Sequence, residues 1–303
     1  MTAPRRILPG STYLITRRCT QRQYLLRPDS VTTAIVEYCL AEAAEHHGIG
    51  LIAWQVMSNH YHAVVNDPNG TLPAFLERFH KMVARALNAR WGRWENLWSN
   101  EQTNVVLLPT PEDVFAKVIY VLTNPINDDL VENVADWPGA SSFGFLGGKS
   151  AKIKRPTSFF SDDGVMPTEA TLRMSVPAAV RGRESLEDWV ASVRKEVRLH
   201  EATRRAARVA SKRRVLGRKA ILGVSPFASP ASRDEPRRGL RPERAGKNRD
   251  VRIEELAELV VFRKEHRKAR LKFKAGKRRV EFPLGTYRMR LLGARCVPFP
   301  NAA

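Results

Sequence analysis

"IGLIAWQVMSNHYHAVVN", residues 49–66, holds two apolar runs separated by Ser58-Asn59. A turn-forming pair between runs rich in β-branched and aromatic residues predicts a β-hairpin. Side chains alternate between the two faces of a strand. His60 and His62 therefore project together, while Tyr61 and Ala63 point away. Two imidazoles side by side are either ordinary hydrogen-bonded residues of a sheet surface or a pair that shares a divalent cation. Sites made only of histidine suit zinc, whereas mixed oxygen and nitrogen sites suit magnesium or manganese.

Working outward, residues 11–18, "STYLITRR", read as a strand entered from the turn residues Pro9 and Gly10. Residues 30–47 read as a helix with Ser30 as N-cap and Val31, Ile35, Tyr38, Cys39 and Ala43 on one face. Residues 71–90 read as a second helix, capped by Thr71, with a buried stripe of Leu72, Phe75, Leu76, Phe79, Met82, Val83 and Ala86. "TNVVLLP", 103–109, is a further strand. Thr110-Pro111-Glu112-Asp113 then supplies a cap, a first-turn proline and two acids at the positive end of the next helix. The order is strand, helix, strand, strand, helix, strand, helix. It predicts an α+β, ferredoxin-like antiparallel sheet with helices on one face.

Charge divides the chain. Residues 1–150 carry 13 Lys+Arg against 14 Asp+Glu, and the remainder carries 38 against 17. The first half has an ordinary globular composition and the second is a polycation. Nucleic acid is the most economical partner for such a half, because each phosphate neutralised releases counterions. A signal peptide, a long apolar run and a lipidation motif are not found in the sequence, so no membrane partner and a cytoplasmic location are expected. Cys19, Cys39 and Cys296 match neither a zinc spacing nor a disulfide framework.

In the helix that opens at Pro111, "EDVFAKVIYVLTNP" (112–125), Val114, Val118, Val121 and Leu122 form an apolar face. Asp113, Lys117, Tyr120 and Asn124 are spaced 4, 3 and 4 and form a separate stripe. Pro125 is expected to end the helix at or near Asn124. Such a stripe is either a solvated polar face or a surface presenting a nucleophile, a ligand and a phosphate contact together. Tyrosine is a competent nucleophile when something activates it.

"MSNHYHAVV" (57–65) resembles the histidine–hydrophobic–histidine motif of the HUH-type single-tyrosine transposases of small bacterial insertion sequences. "YVLTNPINDDLV" (120–131) followed by "DWPGASSF" (136–143) resembles the element around that family's catalytic tyrosine. The branch most similar is that of the REP-associated tyrosine transposases, over roughly residues 10–145. The resemblance implies a ferredoxin-like fold and a metal-dependent transposase that cleaves and rejoins single-stranded DNA at hairpin or palindromic sequences. It implies that His60 and His62 bind Mg²⁺ or Mn²⁺, with Asn124 as third ligand. It also implies that Tyr120 attacks a phosphodiester to give a 5′-phosphotyrosine and a free 3′-hydroxyl. Homodimer and monomer both occur among such relatives. Helix spacing alone adds Lys117 as a contact to the same phosphate.

Further DNA contacts are sought on the second helix, where Arg78, Lys81 and Arg85 share one side, and in the basic run 194–220, above all at Arg204, Arg205 and Arg208. Trp91, Trp94 and Trp98 either stack on unpaired bases or pack under the sheet, packing being the commoner fate. The expected organisation is a catalytic domain over 1–148 and a basic, mostly helical extension over 149–224, with one long helix over 184–215. A flexible Pro/Arg-rich linker over 225–249 and a small basic segment over 250–303 follow. The last segment is expected to hold a helix over 250–270 and a hairpin in "KFKAGKRRVEF" (272–282). Two other functions compete with the transposase: a domesticated DNA-binding protein without strand transfer, and a metal phosphodiesterase in which water is the nucleophile.

Overall fold

The computed structural model describes residues 4–157, 159–160, 164–177, 185–232 and 242–299. Its centre is a four-stranded antiparallel sheet in the order β2-β3-β1-β4, built from β1 (Ser11–Arg18), β2 (Gly50–Val56), β3 (His60–Asp67) and β4 (Asn104–Leu107). The hairpin closes through the Met57 N–H, which donates to the His60 carbonyl at 2.8 Å. Register places His62 opposite Thr16 of β1 and opposite Gln55 of β2. Strand order and direction are those of a ferredoxin-like layer.

The alternation of β3 assigns the helices to faces. Tyr61 meets Phe79 of α2 (Leu72–Trp91) at a ring separation of 5.4 Å. His62 meets Tyr120 of α3 (Pro111–Asn127) at 5.1 Å. Helix α1 (Ser30–His47) joins α2 through the Glu42 carboxylate, which accepts from Arg78 Nε at 2.8 Å. Helices α1 and α2 thus cover one face, and α3 lies across the other, so one-sided coverage does not extend to α3. The physical reason is the polar face of β3, which needs an element with its own polar stripe.

Local signals account for the helix ends, with three departures from the sequence expectation. Asp29 rather than Ser30 caps α1, accepting from the Thr32 N–H at 2.9 Å. For α2 the capping acceptor is the buried Asp67 carboxylate, which takes the Thr71 and Leu72 N–H groups at 2.8 and 2.9 Å, while the Thr71 hydroxyl bonds away to the His47 carbonyl. Helix α3 runs past Pro125 to Asn127. Proline only removes one donor there, and the chain leaves the helix a turn later, with the Leu130 N–H on the Pro125 carbonyl at 3.0 Å.

Beyond the sheet, β5 (Ser150–Lys154) and β6 (Glu169–Arg173) form a hairpin against α1. Helix α4 (Leu186–Ala210) packs on α3, α5 (Arg218–Gly223) is short, and α6 (Arg249–Lys274) is long. No hairpin forms over 272–282. Lys272 to Lys274 complete α6, and Phe282 instead makes an isolated bridge to Cys296. Within the expected linker 225–249, residues 233–241 lie outside the described residues. On either side the chain is tied down. Gln23 Nε2 donates to the Phe227 carbonyl, and Leu107 and Ala245 exchange backbone bonds with the 243–245 segment and β4 at 2.9 and 3.1 Å. That segment covers the open edge of β4.

Candidate active site on the α3 face of the sheet

The hairpin and α3 bring four expected residues together: His60, His62, Tyr120 and Asn124. The imidazoles of His60 and His62 are 4.8 Å apart, edge to face. Each has its Nδ1 engaged. His60 Nδ1 lies 2.7 Å from Asn59 Oδ1, and since a carbonyl oxygen can only accept, the ring donates there and carries its lone pair on Nε2. His62 Nδ1 lies 2.8 Å from the Thr16 hydroxyl, directly across the strand pair, so that a Nδ1–H there again leaves Nε2 as the acceptor nitrogen. This is how outer-shell partners orient metal-binding histidines.

Electrostatics hold both rings neutral. Burial, then the nearby Arg18 charge, pushes the His60 pKa down to about 4, against a smaller upward pull from the adjacent Asn124 side chain. Burial, His60 and Lys117 hold His62 well below the ordinary imidazole value. Neutral imidazole is the form that binds a metal. Asn124 is buried, and its Oδ1 has no hydrogen-bond partner. A buried orphan carbonyl beside two neutral imidazoles fits a cation, because it costs free energy until something electropositive meets it. Among the described residues no three His, Cys, Asp or Glu side chains are grouped to hold a metal. The Asn124 amide oxygen is placed where it could serve as a third protein donor to a cation, and such a mixed nitrogen and oxygen set would suit magnesium or manganese.

Tyr120 stands at the rim of this group, 40% exposed, with Lys117 Nζ 5.4 Å from its ring centroid. The distance is within cation–π range and puts a positive charge beside the phenol. Three residues at the site were not singled out in the sequence. Thr16 and Asn59 orient the rings. Gln55 shares the His62 face by register, is fully buried, and has both amide atoms without partners. Gln55 escapes a sequence reading because it sits in an otherwise apolar strand; only the cross-strand register reveals it.

The other expected contacts lie elsewhere. Arg78 grips Glu42 with both Nε and a terminal nitrogen. Lys81 and Arg85 are exposed, but on α2, across the sheet from Tyr120. Arg204 donates to Asp129 Oδ1 and to the Asn127 carbonyl, both at 2.8 Å. Arg208 is buried between Asp129 and Glu132, at 3.4 and 2.6 Å. Arg205 bonds Asn133 Oδ1 at 3.0 Å. These three arginines dock α4 on the loop after α3. Trp98 is buried and Trp91 half-buried with its N–H on the Leu25 carbonyl, whereas Trp94 is 98% exposed. Burial raises the Cys19 and Cys39 thiols, which removes both as nucleophiles. Among the described residues no helix is long and apolar enough to cross a membrane.

Fold and site together define a class: a ferredoxin-like domain in which a strand offers paired imidazoles to a tyrosine on a facing helix. Comparison with protein-family models gives no match, and neither does comparison with curated proteins. Several chains of solved structures align with this one, among them the following two. One is a REP-associated tyrosine transposase bound to a REP hairpin, with a TM-score of 0.42 and 19% identity over 57% of this chain and 99% of the other. The second is described as a transposase of Deinococcus radiodurans R1, with a TM-score of 0.29 and 21% identity over 41% of this chain and 97% of the other.

Proposed function

We propose that the protein is a transposase that cuts and rejoins single-stranded DNA through a covalent bond to Tyr120. The observation that carries this reading is the meeting of Tyr120 and Asn124 of α3 with His60 and His62 of β3, a different element far away in sequence. Two motifs that resemble those of single-tyrosine transposases, one on the sheet and one on the helix facing it, thus meet across one site.

In the proposed reaction the Tyr120 phenolic oxygen attacks a phosphorus of the DNA backbone. A Tyr–O–P bond forms, and the bond from phosphorus to the 3′-oxygen of the preceding sugar breaks. The phenol proton passes to solvent, and the departing oxygen takes a proton to become a 3′-hydroxyl. The DNA then remains attached through its 5′-phosphate. Attack by a 3′-hydroxyl on that linkage reverses the step and joins strands without a nucleotide cofactor. Mg²⁺ or Mn²⁺ held by His60, His62 and Asn124 would supply polarisation of the scissile phosphate and offset its developing charge. Lys117, beside the phenol, adds a fixed positive charge near the same phosphate. Unpaired DNA near a hairpin is the proposed substrate, as the motif resemblance implies.

The test is a labelled hairpin oligonucleotide incubated with Mg²⁺ or Mn²⁺ and run on a denaturing protein gel. Wild type is expected to give a shifted, metal-dependent band that Tyr120→Phe and His60→Ala both lose. Cleavage that persists in Tyr120→Phe would assign the nucleophile to water. Binding with no adduct and no cleavage on any hairpin would leave a DNA-binding protein without strand transfer.

A further inference from the structure

Tyr120 belongs to two stripes of α3 at once. On one side lie Lys117 and Asn124, facing the imidazoles. On the other, Glu112, Phe115, Ala116, Ile119 and Thr123 recur at helical spacing and line a separate open pocket of about 480 Å³ against α4. Its far wall is α4, which contributes Trp189, Glu196 and His200 at spacings of 7 and 4. The nitrogen of His200 stands 4.0 Å from the Glu196 carboxylate, and both are near the mouth. Lys247 arrives from the segment strapped along β4, held by its N–H on Asp113 Oδ1 at 2.9 Å.

The lining decides what this pocket can take. Two carboxylates, Glu112 and Glu196, face one ammonium, Lys247, so a phosphate is disfavoured there; the cationic stretch near Tyr120 is Lys117, on the other stripe. Phe115, Ile119 and Trp189 supply flat apolar surface. A flat, uncharged ligand with hydrogen-bond donors on its edge satisfies both halves of the lining. We propose that the pocket takes one unpaired nucleobase of the strand that Tyr120 attacks. The base stacks among the aromatic walls and gives an exocyclic amine to Glu196. This inference rests on the transesterase reading for its choice of ligand, and it adds a specificity determinant to that reading. A base drawn out of the strand and held beside the attacked phosphate fixes the position of that phosphate over the phenol, and holding the reacting groups in place lowers the entropic part of the barrier.

The experiment uses the full chain carrying Tyr120→Phe, so that no chemistry is required. Hairpin oligonucleotides carry 2-aminopurine, or an abasic residue, at each unpaired position in turn. One position is expected to lose fluorescence on binding through stacking. An abasic residue there is expected to weaken binding roughly 5- to 150-fold, the stacking of one base. Ala116→Leu fills the pocket with a residue that favours helix. In that variant the quenching should vanish and the abasic penalty should fall to within about twofold. Glu196→Ala, at a half-buried mouth position, should abolish the discrimination between that base and its analogue without the exocyclic amine. Uniform behaviour of all positions, or quenching and penalty that survive Ala116→Leu, would overturn the proposal. Failure of wild type to form an adduct would overturn the transesterase reading instead, and it is read separately because these signals need binding only.

Discussion

Thr16 shows how much of the site rests on residues with no chemistry of their own. Its hydroxyl fixes the His62 ring from the neighbouring strand, as Asn59 fixes His60 from the turn. Thr16→Val keeps the shape of the side chain and removes that anchor. It is expected to raise the metal concentration for half-maximal adduct formation about 10- to 100-fold, the usual cost of losing an outer-shell partner, with little change in melting temperature. A metal titration of adduct yield checks this; an unchanged half-point would remove Thr16 from the site. Tyr120→Phe, by contrast, should leave hairpin affinity nearly intact while eliminating the adduct. At this scale the sequence was informative where side chains alternate or recur in one element. Both histidines and the Tyr120–Asn124 pair follow from periods of two and four. Gln55 and Thr16 do not, since they matter only through register across strands, and register is not written in either strand alone.

At the scale of elements, the junction of α1 and α2 carries its own pH dependence. Asp29 caps α1 and pairs with Arg90 of α2 at 2.7 Å. Burial pushes the Asp29 pKa up, but the bonds from Arg90 and the Thr32 N–H outweigh it, and the net shift is downward. A carboxyl whose folded pKa is depressed contributes stability above its unfolded value near 3.8, and that contribution is lost as pH falls through the folded value. Wild type should therefore exceed Asp29→Asn in melting temperature at pH 6, and the gap should shrink as pH falls below the unfolded value and through the folded one in parallel thermal melts. A gap that persists at low pH would locate Asp29's contribution elsewhere. Asp67→Ala removes the acceptor for two N–H groups at the start of α2 and is expected to cost about 1–2 kcal/mol in urea unfolding. Helix existence was legible from apolar period in every core element. The caps were legible less well, because Asp29 and Asp67 lie just outside the periodic stretch, and Asp67 is four residues before the first bond it accepts.

At the scale of the molecule, the excess of Lys and Arg divides into cations that are committed and cations that are available. Asp129, at φ 54°, gathers Arg204, Arg208 and Arg213. Asp129→Ala leaves Arg208 buried with one fewer counter-charge and should destabilise the protein by roughly 3 kcal/mol, loosening α4 from α3. Lys195 and Arg198 are exposed on α4. Neutralising both should leave stability alone and flatten the salt dependence of oligonucleotide binding by about 1.4 in the log–log slope, roughly 0.7 for each phosphate no longer neutralised. A basic run does not disclose this division in sequence, since an arginine that docks a helix and one that meets phosphate have the same composition. The strapping of residues 243–247 onto β4 and α3 was likewise hidden beneath a Pro- and Arg-rich composition that reads as linker.

The claim on which the rest depends is that the Tyr120 oxygen becomes covalently bound to DNA. The most direct measurement is mass spectrometry of the nuclease- and protease-digested adduct from wild-type protein, hairpin oligonucleotide and Mg²⁺ or Mn²⁺. A residual 5′-phosphonucleotide is expected on the peptide that contains Tyr120, and on no other. A nucleotide mapped to a different residue, or cleaved DNA with a free 5′-phosphate and no modified peptide, would contradict it.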